Sequence, residues 1–158
     1  MSRAGFQVLV IPYRECSDGS HEDALTSRSD CGAWQFLSGG GDEGETPLEA
    51  AKREAYEEGG VAEGFTYLEL EAVASIPASH FTDRWEWEHR RYVCREYSFA
   101  VDVGAREIVL SHEHSEVRWL RYEDALELLT WDSNRIALWE LHARLGPLGR
   151  DTPPPGLE

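Results

Sequence analysis

The stretch "GGGDEGETPLEAAKREAYEEGGV", residues 39–61, decides how the rest of the chain is read. It opens on a glycine run, passes through Thr46-Pro47 and closes on Gly59-Gly60. Thr46 suits a helix N-cap, Pro47 the first helical position, and Glu49 the carboxylate of a capping box. Leu48, Ala51 and Ala55 fall at i, i+3 and i+7 and form an apolar stripe. The pattern predicts a helix over 47–58, stopped by the two glycines.

The charges on that helix break local rules. Glu54 and Glu58 are i,i+4, and Glu54 and Glu57 are i,i+3; like pairs at these spacings each cost a few tenths of a kcal/mol. Carboxylates in the last turn also oppose the helix dipole, by roughly 0.3–1 kcal/mol each. A helix chosen for stability alone would carry Lys or Arg there, and broken rules of this kind mark functional sites. A divalent cation resolves the conflict. Glu54, Glu57 and Glu58 converge on one face, and Mg²⁺ or Mn²⁺ prefers such oxygen ligands. The glycine run lets a backbone carbonyl approach closely. The plainer reading is a solvated acidic face. The glycine loop, the capped short helix, Arg53 and the convergent glutamates together argue against it.

The chain has 158 residues, enough for one domain with a real core. Its formal net charge of -15 argues against a nucleic acid polymer as partner, because neutralising phosphates needs basic patches. Cys16, Cys31 and Cys94 have no paired spacing, which points to a reducing compartment. No apolar run approaches the ~20 residues that span a bilayer. The apolar stretch near the N-terminus is short and lacks a small-residue cleavage site, so it reads as a strand and not a signal peptide. The expected setting is cytoplasmic, with no membrane partner.

Strands are predicted over 6–13, 33–40, 65–76, 95–103 and 116–120, with 24–30 a poor strand and 14–23 a loop. Tyr97, Phe99, Val101 and Val103 share one strand face. Two more helices follow, over 122–130 and 133–146. The second has Ile136, Trp139 and Ala143 in register, Asp132 or Ser133 as N-cap, and Gly146 beyond its end. Residues 1–150 read as a single domain and 151–158 as a flexible tail. Strands interleaved with helices in mixed order predict an α/β sandwich around a mixed sheet.

Gly39, Glu45 and "REAYEEGGV" (53–61) follow the Nudix box, G-x5-E-x7-R-E-U-x-E-E-x-G-U, in which U is a bulky aliphatic residue. The chain resembles the Nudix hydrolases on this ground, with Ala55 at an aliphatic position as the one departure. The resemblance implies an α/β/α sandwich and Mg²⁺- or Mn²⁺-dependent cleavage of a phosphoanhydride. By position, Glu57 and Glu58 would be metal ligands, helped by the Gly39 carbonyl. Glu54 would bind metal or take the proton of the attacking water. Arg53 and Glu45 would pair and, with Gly60 closing the helix, hold the loop–helix–loop rigid.

Outside the box, "WQFLSGGGDEGET" (34–46), "SHEHSEVRWL" (111–120) and "WDSNRIAL" (131–138) resemble bacterial dihydroneopterin triphosphate pyrophosphohydrolases. That likeness implies Glu113 as a further ligand or the general base; the alternative is an ordinary surface carboxylate. "SHEH" also resembles dinucleoside tetraphosphate hydrolases. "HFTDRWEWEHRRY" (80–92) is the main cationic and aromatic cluster, from which Arg84 and Arg91 are candidate phosphate binders; its tryptophans equally suit packing against the domain. Arg28 matches a position that faces substrate in the family. Pro77, past the box, is a weak pointer to ADP-ribose cleavage. The substrate expected is a small-molecule nucleoside or pterin triphosphate, with ADP-ribose or a dinucleoside polyphosphate as alternative. A non-catalytic Nudix-fold sensor is the rival from another class, but it should lose box glutamates that are all present here. A zinc site from His80, His89, His112 and His114 lacks tight ligand spacing. Self-association as a homodimer is left open.

Overall fold

The computed structural model describes residues 3–81 and 91–146. In these, seven strands form one mixed sheet: β1 (Arg3–Glu15), β2 (His21–Arg28), β3 (Trp34–Gln35), β4 (Leu37–Asp42), β5 (Tyr67–Pro77), β6 (Val93–Asp102) and β7 (His114–Leu120). The path runs β3-β2-β1-β6-β5, with β4 paired to β1 and β7 to β2. β1 and β6 are parallel, and the other pairs are antiparallel.

Strand β1 carries the fold. Val8 and Val10 face one core, Leu9 and Ile11 the other, and all four are fully buried. A strand covered on both faces has no reason to alternate, which is why its sequence is a continuous apolar run. On the first face lies α1 (Pro47–Gly59), through Ala50, Ala51 and Ala55. Helices α2 (Tyr122–Leu128) and α3 (Asp132–Leu145) cover the second through Ala125, Ala137, Leu138 and Leu141. The result is the expected α/β/α sandwich.

Four local expectations are corrected. Residues 24–28 of the segment read as a poor strand belong to β2, which pairs with β1, β3 and β7. Its polar residues are inside: Thr26 is fully buried and its hydroxyl donates to the Gln35 carbonyl at 3.1 Å. The expected inner face of α3 is its outer one. Ile136 and Trp139 are 59% and 45% exposed, while Asn134, Ala137, Leu138 and Leu141 face inward. Apolar residues occur on both sides of this helix, and Asn134 disguised the true stripe. Its Oδ1 accepts the Phe36 N–H at 2.9 Å, which is why a polar residue sits there. The cap of α3 is Trp131 without a side-chain bond; Asp132 lies inside the helix and pairs with Arg135 at 2.8 Å. On α1, Leu48 is also largely outside the stripe, at 41% exposed.

Asp23 is fully buried on β2 with both carboxylate oxygens unpartnered, 3.7 Å from His21 Nε2. Burial, with a smaller push from Glu22, raises its carboxyl to about 8. A group whose pKa is raised on folding stabilises the fold fully below its unfolded value, and that stability is lost as pH rises through the folded value. The protein should therefore lose stability between pH 4 and 8 through this group. Asp23→Asn, which keeps the neutral shape, should melt increasingly above wild type as pH rises from 5 to 8. A constant difference across that range would show that Asp23 does not take up the proton.

Candidate active site

Helix α1 begins as its sequence requires. The Thr46 hydroxyl accepts the Glu49 N–H at 3.2 Å, and Glu49 accepts the Thr46 N–H at 3.0 Å. It ends at Gly60, whose φ of 67° is left-handed and whose N–H reaches back to Ala55 and Tyr56. No basic residue occupies its last turn. The fully buried alanines let α1 lie close over β4. The approach is so near that a Cβ at Gly39 would land inside the Glu54 carboxylate. Glycine at 39 is therefore a steric condition for the helix to set Glu54 there.

Arg53 organises the acidic face. Its Nε and Nη2 donate to the two oxygens of Glu45 at 2.8 and 2.9 Å. Nη1 donates to Glu54 Oε1 at 2.8 Å and to Glu57 Oε2 at 3.2 Å, and Nη2 also donates to the Gly40 carbonyl at 2.9 Å. Glu45 accepts the Asp42 N–H at 2.7 Å, which ties the loop before α1 to the same node. The guanidinium holds the Glu45 carboxyl below its usual range, and the surrounding carboxylates hold the Arg53 proton more tightly than usual. The pairing of Arg53 with Glu45 expected from the sequence is present; the contacts to Glu54, Glu57 and Gly40 extend it.

Glu58 is buried at the far end of this face. Its Oε2 accepts the Ser111 hydroxyl and lies 3.4 Å from His114 Nδ1. Burial lowers the His114 imidazole, and Glu58 works in the opposite sense. Burial is also the main reason the Glu54 carboxyl is pushed up to about 7. Arg53 opposes that shift, and the charges of Glu57 and Glu58 add to it.

Glu113 lies beside this end on the loop before β7. Its side chain is exposed, but its backbone is held: its N–H donates to Ser111 Oγ at 3.2 Å and its carbonyl accepts the Ser29 N–H at 2.8 Å. Arg28 is brought to the same loop by its register with His114, and its guanidinium is engaged by Asp30 at 2.6 Å. Arg91 is exposed and lies against Gly5, at the start of β1. Arg84 and the 82–90 part of the cationic cluster, like the 151–158 tail, lie outside the described residues. His80 and His112 are exposed on separate segments, and His89 lies outside the described residues. Sequence reasoning missed Ser111. It lies 53 residues from Glu58, and a lone loop serine carries no signal of such a contact.

Among the described residues, no three His, Cys, Asp or Glu side chains are already drawn together as a metal cage. The donor set nevertheless suits a hard cation. Glu54, Glu57 and Glu58 each engage one carboxylate oxygen with Arg53 or Ser111. The other oxygen of each carries no hydrogen bond from the described residues. Their mutual repulsion raises Glu54, a penalty that a cation removes. An open set of carboxylates completed by water is how Mg²⁺ is usually held.

Known proteins share this fold. A Listeria monocytogenes protein assigned as a NUDIX hydrolase is 42% identical and superposes with a TM-score of 0.80, over 89% of this chain and 93% of that one. The Escherichia coli dihydroneopterin triphosphate pyrophosphohydrolase is 26% identical, with a TM-score of 0.71 over 87% of this chain and 94% of the other. An RNA pyrophosphohydrolase of Roseobacter denitrificans is 29% identical over 135 residues, 77% of this chain and 84% of that relative. Residues 10–139 match the NUDIX domain, and the chain belongs to that family of hydrolases acting on pyrophosphate bonds.

Proposed function

We propose that this protein is a Mg²⁺- or Mn²⁺-dependent pyrophosphohydrolase that cleaves a phosphoanhydride in a nucleoside triphosphate or a pterin triphosphate. The observation that carries the reading is the acidic face of α1, where Glu54, Glu57 and Glu58 each keep one carboxylate oxygen free of hydrogen bonds from the described residues and Glu54 lies against Gly39. Glu57, Glu58 and Glu54 would hold the cation, with the Gly39 carbonyl as a further oxygen donor. When bound, the cation neutralises charge on the phosphate oxygens and acidifies water. Arg53 keeps the carboxylates apart and aimed, and Glu45 keeps Arg53 in place. Arg28 supplies positive charge on the Glu113 side of the site, and Arg91 and Arg84 are assigned to the substrate's phosphates.

Two carboxylates compete to take the proton of the attacking water. A carboxylate that ligates a cation is the weaker base, since the cation lowers its proton affinity. Glu113, exposed on a loop with a fixed backbone, is therefore the preferred base over Glu54. Glu113→Gln should lower kcat by ~10²–10⁴-fold with little change in substrate affinity, and alter the acidic limb of the pH–rate profile. His112→Asn and His114→Asn are the controls for a pH effect from the same loop. Near wild-type kcat in Glu113→Gln, with its profile intact, would return the role to Glu54.

The substrate class rests on three supports. The net charge of -15 disfavours an RNA polymer, even though the curated relatives that the chain matches, the Roseobacter denitrificans protein and three from Helicobacter pylori strains, are named RNA pyrophosphohydrolase. The similarity to a dihydroneopterin triphosphate enzyme extends over most of both chains. All box glutamates are present, which argues against a non-catalytic sensor. A panel of dihydroneopterin triphosphate, the nucleoside triphosphates, ADP-ribose, a dinucleoside tetraphosphate and 5′-triphosphorylated RNA, with products identified, tests the assignment. The expected preference is for a small triphosphate. Preference for ADP-ribose, the dinucleotide or the RNA would overturn it.

A further inference from the structure

Ser111 joins the two halves of the acidic site, α1 and the Glu113 loop, through one side-chain atom. Its hydroxyl donates to Glu58 Oε2, and its own Oγ accepts the Glu113 N–H at 3.2 Å. Its backbone repeats the link, with its N–H directed at the Glu58 carbonyl at 3.4 Å and its own carbonyl accepting the His114 N–H at 3.3 Å. A hydroxyl is a donor and an acceptor at once, and few side chains this short are. The acceptor is an ionisable carboxylate, which makes the Ser111–Glu58 bond one of the stronger kind.

The consequence concerns orientation. With Oε2 of Glu58 held by Ser111 and close to His114, Oε1 is the oxygen left without a hydrogen bond from the described residues. The loop that starts Glu113 is fixed by the same hydroxyl. We propose that Ser111 is a positioning residue, which orients Glu58 for the cation and sets Glu113 in register with it. This rests on the reading of Glu58 as a metal ligand given above. Ser111 is half-buried and belongs to neither apolar core, so its hydroxyl adds little to the packing of the fold. Groups that orient a metal ligand typically matter by 10–100-fold in metal affinity.

The test is Mn²⁺ binding to the substrate-free protein, read by the electron paramagnetic resonance of free Mn²⁺, together with melting of the metal-free forms. Wild type is compared with Ser111→Ala, Ser111→Thr and Glu58→Gln. Ser111→Ala should bind Mn²⁺ ~10–100-fold more weakly, while its metal-free melt falls by only a few degrees, the loss expected for one charge-assisted hydrogen bond. Ser111→Thr, which keeps the hydroxyl, should bind nearly as wild type. In turnover, Ser111→Ala should need more metal for half-activation, beyond any change in kcat. Wild-type Mn²⁺ affinity in Ser111→Ala, alongside a large loss in Glu58→Gln, would overturn the role of Ser111 and leave the site assignment standing. Equal weakening in the Ala and Thr variants would also overturn it, because the hydroxyl would then not be what matters. Undiminished binding in Glu58→Gln would instead remove the metal reading itself.

Discussion

Glu58→Gln and Glu57→Gln are each expected to lower turnover by at least ~10²–10³-fold, the scale seen when one group that stabilises transition-state charge is lost. Neither should weaken the metal-free fold. Both residues lie in a last turn that carries no basic side chain, and both push the Glu54 carboxyl upward. Removing either charge relieves that repulsion and the conflict with the helix dipole. Gln at 58 keeps an oxygen to accept the Ser111 hydroxyl. At 57 the loss is one ion pair to Arg53 at 3.2 Å, in a side chain 48% exposed, worth a few tenths of a kcal/mol at most. A pH series sharpens the check. Glu54 is raised to about 7 from an ordinary 4.5, so its share of stability is full below 4.5 and is lost as pH rises through 7. With Glu58 neutralised, that loss should still begin near 4.5 but end at lower pH and be smaller overall. A clear drop in metal-free melting temperature for either variant would mean that the residue is structural.

Arg53→Ala should damage stability as well as activity. The side chain is 24% exposed and joins Glu45, Glu54 and Glu57 in one node, with the Gly40 carbonyl as a further acceptor. Taking it away strands Glu45 and buried Glu54 without their cation. Breaking a buried ion pair from one side costs about 3–5 kcal/mol, and partial exposure of this node places the expectation near the lower end. At roughly 2–4 °C per kcal/mol for a chain of this size, melting should fall by about 6–12 °C. Arg53→Lys should recover only part of this, since an ammonium cannot span Glu45 with a two-pronged bond. An unchanged melt with a reduced rate would show instead that Arg53 acts on the substrate directly.

What could be read from the sequence follows from the range of each interaction. The cap of α1 was legible because Thr46, Pro47 and Glu49 act within one turn of each other. The burial of β1 on both faces, and the shared face of Tyr97, Phe99, Val101 and Val103, were legible as patterns of apolar residues. The true face of α3 was not. The Asn134 that anchors it is polar, and the reason it is buried lies on another element, at the Phe36 N–H. Likewise β2 looked weak because its Asp, Thr and Ser suggest surface, whereas three neighbouring strands enclose it. In the acidic site, the three glutamates could be anticipated from spacing, and the partner of Arg53 from the family resemblance. The roles of Gly40 as a carbonyl acceptor and of Ser111 as a link between α1 and the Glu113 loop depend on the folded chain alone.

The central claim is that this acidic helix performs metal-dependent cleavage of a phosphoanhydride. Phosphorus NMR of the purified protein with dihydroneopterin triphosphate or a nucleoside triphosphate, once with Mg²⁺ and once with excess chelator, tests it most directly. The account predicts that the anhydride phosphorus signals convert to product signals with Mg²⁺, and remain unchanged in chelator. Full conversion in chelator, or no conversion of either substrate with Mg²⁺, would contradict it.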